Sequence, residues 1–332
     1  MIRKTAIEFA RKELEKNREA LDNHPSDSLL KRVLGKIYDM DLFHFTIPES
    51  HGGTGEGITS LCAVLEAISS EDAGVAGILF SHHFSIQLLI HADAGTVLSG
   101  LCKTGKTAGQ IMVASPCYTN PSEIDYVADV LPAKDGYRLS GTIPYVVPAV
   151  LASKAVIPGR IKGQDDYSWF LIEIDQPGVA HGMPVQSLGL HVCQALDLTL
   201  TRAVGQIVGR PGHGAEIFDH AADAMHLATA AMATGVMKGS LAEAREYAGK
   251  RDQGGRKIIN WTELRMILAN MAVQTEIANM LLEKGCEHAE SQANGWRQSS
   301  RAAAIHILSS ACDLTTDGVQ ISLVSTFRPM PG

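Results

Sequence analysis

Residues 196–225 read LDLTLTRAVGQIVGRPGHGAEIFDHAADAM, and the repeat changes halfway along. Leu196, Leu198 and Leu200 alternate with Asp197, Thr199 and Thr201, the period of a strand with one buried face. After Arg210-Pro211-Gly212-His213-Gly214 a helical period takes over. Ala221, Ala224, Ala228, Ala231 and Gly235 then recur at three- and four-residue steps. Small side chains on one helical face let a second helix come close, so this face reads as core packing.

Upstream of this junction the two-residue period continues. Phe170, Ile172 and Ile174 of SWFLIEI share a face, and Asp135-Gly136 in AKDGYRLSG marks a hairpin between extended runs. Residues 109–212 therefore read as a middle antiparallel β domain. Residues 1–108 read as an N-terminal all-α domain. Leu29, Leu30, Val33, Leu34, Ile37 and Tyr38 fit a 3.6-residue repeat, as do Ile58, Leu61, Leu65 and Ile68, with the loop TIPESHGGTG between them. Downstream, Leu264, Leu268, Met271, Thr275, Ala278 and Leu282 step by four and three, and Ala303, Ile307, Ser310, Leu314 and Ile321 follow suit. Residues 213–332 are thus a C-terminal helical bundle of three long helices. The fold class is α+β and multidomain.

Composition narrows the partners. The 332 residues are 45% hydrophobic and 20% charged, an ordinary globular balance. A net charge of −7 with no basic block argues against nucleic acid. No apolar run approaches the ~20 residues of a membrane span. The N-terminal stretch mixes acids and bases with apolar Ile7, Ala10, Leu14 and Leu21, which predicts an amphipathic helix and not a signal peptide. Six cysteines without a CxxC pair suggest reduced thiols in a cytoplasm. His82 and His83 are adjacent; on a helix they point about 100° apart, a poor geometry for one metal ion.

Four local sequences, in this order, resemble the acyl-CoA dehydrogenase family. Residues 41–76, DLFHFTIPESHGGTGEGITSLCAVLEAISSEDAGVA, look like its G-x-x-P-E-x-x-G-G-x-G loop and the acid-rich helix end after it. GKTAGQIMVASP sits where the family enters its β domain, and GYRLSGTIPYVV resembles the strand that passes the flavin. REYAGKRDQGGRKI resembles the arginine segment at the cofactor's adenine end. The resemblance covers residues 1–321. It implies FAD, an acyl-CoA substrate and α,β-dehydrogenation, with electrons passing to an electron-transfer flavoprotein. It also implies oligomers in which one subunit's arginine segment reaches its neighbour's FAD.

Carried over residue by residue, the resemblance assigns Arg251 and Gln253 to the cofactor, with Gly254 where an aromatic usually follows. In the family's T-E-P-x-x-G-S-D loop, Ala114 and Ser115 replace the threonine and the acid, and Ser122 falls at a substrate-contacting place. In its G-x-K-x-W-I-T-N strand, Tyr145 holds the aromatic place, while Val147 and Pro148 replace threonine and asparagine. Ser115, Tyr145, Val146 and Val147 are therefore the expected flavin contacts, the last two through backbone N–H groups. Asp223 matches a carboxylate that contacts acyl-CoA.

The family supplies its catalytic glutamate from one of two places. One is an E-G-T turn some way past a G-G-x-G loop that follows a V-Q-I helix end. Val319-Gln320-Ile321 is such an end, and neither motif follows before Gly332. The other lies on the first bundle helix, before an arginine; here those two positions are Met225 and His226. A thioether takes no proton. Asp223 and His226 share a helical face at i, i+3, as a local ion pair, a ligand contact or an improvised base. Three readings follow: a subunit completed by a base-bearing paralogue, a non-catalytic acyl-CoA-binding or structural subunit without its own flavin, and a complete enzyme with an unfamiliar base.

Overall fold

The computed structural model describes residues 2–23, 27–116, 120–124 and 126–323. Helices come first, then a sheet, then three long helices. By packing, the chain forms two compact units. Among the described residues, one unit lies within 17–57 and 77–225 and the other within 2–16, 58–76 and 226–323.

The first unit holds a seven-stranded sheet: β1 Val113–Ala114, β2 Ala128–Ala133, β3 Gly136–Val146, β4 Lys154–Ile161, β5 Ser168–Glu173, β6 Val179–His181 and β7 Leu196–Val208. Strands β4, β2, β3, β7 and β5 pair in that order, and β5 pairs back to β4, so five strands close into a ring. Closure leaves those strands no unpaired edge. Leu196, Leu198 and Leu200 face inward as their alternation requires. At Arg202, with φ of 55°, β7 bulges, and the inward set continues at Ala203.

Two expectations need correction here. β2 and β1 both run parallel to β4, so the sheet is mixed and not purely antiparallel. Alternation of side chains reports a strand's buried face but not its direction. The β2–β3 hairpin turns at Lys134-Asp135, one residue earlier than read, because Ala133 pairs with Gly136.

Helix Asp27–Asp39 of this unit buries Val33, Leu34 and Ile37, and the turns after it bury Phe43 and Ile47. Helix Ala73–His91 overturns a further expectation: by length and composition it is apolar enough to cross a membrane. Its apolar window is 78% buried inside the protein, which makes it a core helix.

In the second unit, helix Ile2–Phe9 passes into a π-turn at Ala10–Leu14, so the predicted amphipathic helix is real but interrupted. Ala6, Phe9, Ala10 and Leu14 are buried. Helix Ile58–Ser69 packs closely on residues 226–250 of helix Gly214–Lys250. A Cβ on Gly235 would lie 2.3 Å from the Glu66 carbonyl oxygen, and one on Gly239 would lie 2.3 Å from that of Ser70. Ser69 Oγ seals the contact by donating to Met232 O at 2.9 Å. Helices Thr262–Glu290 and Trp296–Leu323 complete the bundle, burying Met271, Thr275, Ala278 and Leu282 on one side and Ala303, Ile307 and Leu314 on the other.

Candidate functional site

The strand end expected to face flavin is tied into the protein. Ser115 is buried; its hydroxyl lies 2.8 Å from that of Ser85. Its backbone bridges Val147 in both directions, Ser115 N–H to Val147 O at 3.0 Å and Val147 N–H to Ser115 O at 3.2 Å. The register of β3 against β7 slips between Ile143 and Val146, and Tyr145 absorbs the slip with φ of 53°. That turn exposes the Tyr145 ring, while its N–H donates to Asp197 Oδ1 at 3.1 Å. Val146 is fully buried. Two of the backbone donors beside the expected flavin edge, at Tyr145 and Val147, are thus already engaged. The side chain at 147 offers no hydroxyl, and the peptide to Pro148 is cis.

Beyond Ser115 the loop carries a polar chain, buried at Tyr167 and Asn120 and reaching the surface at Asp219, that the sequence reading missed. The Tyr167 hydroxyl donates to Asn120 Oδ1 at 3.0 Å, and Asn120 Nδ2 donates to Asp219 Oδ1 at 3.2 Å. Burial, with Asp166 and Asp219 nearby, pushes the Tyr167 phenol far above its ordinary range, so it stays a donor. Nothing in the spacing of residues 120, 167 and 219 signals this link, because it is made by three separate elements. Ser122 lies in the single-turn helix Pro121–Ile124, and its side chain is outside the described residues.

Helix Gly214–Lys250 carries the other candidates. Asp223 and Met225 are buried and His226 is half-buried.

After Lys250 the chain turns sharply. Asp252–Gln253 pairs with Arg256–Lys257 in a hairpin whose two central residues, Gly254 and Gly255, have φ of 62° and 82°. Only glycine takes two successive positive φ values cheaply, which explains the pair. Ile258 N–H closes the base of the hairpin onto Arg251 O. Arg251 and Gln253 are exposed there. Two further residues join them unforeseen: Arg256 lies over the Trp261 ring at 3.7 Å, and Trp261 Nε1 donates to Gln253 O at 3.4 Å. A Cβ at 254 would approach Trp261 Cζ2 to 2.9 Å, so the indole occupies space beside the position where the family carries an aromatic.

His82 and His83 have structural work. His82 Nε2 donates to Phe43 O and His82 Nδ1 accepts from Val113 N–H; His83 Nε2 donates to Leu42 O and Nδ1 accepts from the Thr46 hydroxyl. A separate cavity of about 530 Å³ is lined by His91, Arg210, His213 and His220 among others, and none of the predicted site residues reaches it.

For FAD, the residues fit unevenly. The exposed Arg251–Arg256 hairpin offers cationic guanidinium donors of the kind a pyrophosphate needs. The strand end at 145–147 offers few.

Comparison with known proteins places this geometry. Residues 1–96 match the model of the acyl-CoA dehydrogenase N-terminal domain, and residues 212–322 match that of the acyl-CoA dehydrogenase C-terminal domain. Among similar proteins is the caffeyl-CoA reductase-Etf complex subunit CarC of Acetobacterium woodii, 27% identical, with 91% of this chain and 82% of that one covered. The short-chain specific acyl-CoA dehydrogenase of Clostridium acetobutylicum is 25% identical over 97% of this chain and 86% of its own. The butyryl-CoA dehydrogenase structure from Megasphaera elsdenii superposes with a TM-score of 0.85 at 22% identity, covering 100% of this chain and 89% of that one. With two domain matches that together span more than half of its residues, the chain belongs to the acyl-CoA dehydrogenase family.

Proposed function

We propose that this chain is an oxidoreductase subunit that takes part in FAD-dependent α,β-dehydrogenation of an acyl-CoA thioester, together with a base-bearing paralogous subunit. One observation carries the reading: Arg251 and Gln253 lie at the solvent-exposed surface, while the backbone donors at Tyr145 and Val147 are engaged inside the sheet. Arg251 then serves FAD shared across a subunit interface more readily than this subunit's own flavin site. Bound FAD supplies the hydride acceptor. Asp223 and His226 contact the acyl-CoA, and Ser115 and Val146 shape the cleft by packing. Met225 takes no proton, and in this reading the partner subunit supplies the base. The family resemblance to a subunit of an Etf complex supports an electron-transfer flavoprotein as the acceptor.

The same engaged donors favour a second reading, a non-catalytic acyl-CoA-binding or structural subunit that holds no flavin. Flavin absorbance separates the two. The test is to purify the chain alone and co-expressed with a paralogue that carries the E-G-T turn, then assay both with a dye acceptor and a panel of acyl-CoA esters. The pair should be yellow and active, and the chain alone should lack turnover. Turnover by the chain alone on the order of 1–10³ per second would refute the need for a partner. A colourless, inactive pair would favour the second reading.

A further inference from the structure

Two cysteines far apart in sequence meet in the helical unit. Cys62 lies on helix Ile58–Ser69 and Cys286 on helix Thr262–Glu290; they are 2% and 4% exposed. Both are free thiols in hydrogen-bond contact with each other. A single buried cysteine is usually a small hydrophobe and nothing more. This pair differs, because both sulfurs line a cavity of about 290 Å³ with Ala63, Glu66, Leu282 and Glu290.

The two thiols are unlike. Cys62 donates its S–H to Cys286, and the Thr59 hydroxyl donates there too, so the negative form is favoured on Cys286 and burial disfavours it on Cys62. The nearby carboxylates oppose a thiolate, but Glu66 is neutralised by Arg3 at 3.1 Å and Lys238 at 2.7 Å, and Glu290 accepts the Thr59 N–H at 3.3 Å. A sulfur on which the thiolate is favoured, beside a second thiol on the wall of a cavity of about 290 Å³, is the arrangement of an oxidisable dithiol.

We propose that Cys62 and Cys286 are a reversible disulfide site, oxidised by hydroperoxides, that locks helix Ile58–Ser69 to helix Thr262–Glu290. The Cys286 thiolate attacks the distal peroxide oxygen; the O–O bond breaks, Cys286 becomes a sulfenic acid, and the alkoxide or hydroxide leaves with the proton that Cys286 released. The Cys62 sulfur then attacks the sulfenic sulfur, and the S–O bond breaks. The oxygen departs as water, carrying the Cys62 proton. Two thiols lose two electrons and two protons, and one peroxide becomes an alcohol, or water, plus water. A dithiol reductant reverses the bond by exchange.

The test uses the whole folded chain treated with hydrogen peroxide and then digested without reductant. A Cys62–Cys286 peptide pair should appear, two thiols per chain should be lost, and dithiothreitol should restore them. The cross-link should also raise the thermal midpoint until it is reduced. In Cys62→Ser, a 1,3-diketone probe should trap a sulfenic acid at Cys286, whereas Cys286→Ser should show little labelling at Cys62. Thiols that resist peroxide until the protein is denatured, or that go straight to sulfinic acid or pair elsewhere, would overturn the proposal. Equal labelling in the two variants would overturn the assignment of Cys286 as nucleophile.

Discussion

Four partners hold the His82 and His83 rings neutral, and that sets a pH limit on this protein. With Val113 N–H donating to its Nδ1, His82 carries its proton on Nε2, and a second proton would leave that bond and a buried charge unpaired. Burial drives the His82 pKa down to about 4 and lowers that of His83 further than the ordinary range. An unfolded histidine takes its proton near pH 6.5, so below that value the unfolded chain binds more protons than the folded one. Stability should therefore be full above pH 6.5 and fall as the pH drops toward 4. His82 alone accounts for roughly 3 kcal/mol of that loss. Denaturant midpoints between pH 7 and pH 4.5 measure it, and His82→Gln should flatten the slope; an equal slope in both proteins would refute the assignment. The sequence indicated only that adjacent histidines make a poor metal pair. That these rings are buried depends on carbonyls of Leu42 and Phe43, forty residues away in the chain, and no local pattern carries that. Arg251 enters the proposed site through the resemblance alone, since no local pattern marks it. Its removal in Arg251→Ala should weaken flavin retention by the assembly about 10- to 100-fold, the usual worth of a charged hydrogen bond of ~1.5–3 kcal/mol. Flavin content that does not change would remove Arg251 from the cofactor site.

Among elements, the long helix Gly214–Lys250 shows what periodicity can and cannot say. The small face was readable, and it does pack: Gly235 and Gly239 bring a helix within touching distance of the Glu66 and Ser70 carbonyls. Which helix it meets was not readable, since Ile58–Ser69 lies more than 160 residues earlier. The prediction at this scale is sharp because the obstruction is backbone. Gly235→Ala gains helix propensity of about 1 kcal/mol, yet its methyl would press on Glu66 O and Ser69 Oγ. Overpacking typically costs 1–3 kcal/mol, and rigid carbonyls put this site at the upper end. A lower thermal midpoint is expected despite the better helix former, and a higher one would mean the helices separate easily. The hairpin at Gly254-Gly255 obeys the same logic. Two successive left-handed residues were implicit in the glycine pair, but the sequence reading took the segment only for its arginine. Strand direction was illegible for a different reason: β2 alternates alike whether it runs parallel or antiparallel to β4, and the two residues of β1 are both buried.

For the whole molecule, the linear order of helices, sheet and helices was legible because each stretch keeps one period for tens of residues. The spatial grouping was not, since residues 2–16 and 58–76 pack with 226–323 and such pairing leaves no trace in a local repeat. The bundle also shows a second apolar stripe. On helix Thr262–Glu290 the inward face is Met271, Thr275, Ala278 and Leu282. On the outward side Met266, Val273, Ile277 and Met280 follow at steps of seven, four and three, with Met266 69% and Met280 62% exposed. Scattered exposed apolar residues are ordinary, but a stripe at heptad spacing is what a partner helix buries. We therefore expect an oligomer with this stripe at its contact, whether the neighbour is a second copy or the paralogue. Light scattering of the purified chain should report a multimer, and the double change Val273→Glu with Met280→Glu should dissociate it while leaving the helical signal unchanged, because both side chains point away from the core. Dissociation should also release flavin if Arg251 reaches across that contact. A monodisperse monomer in the presence of the paralogue would sink both the interface and the shared-cofactor reading, whereas a multimer that survives the double change would move the interface to another face of the bundle.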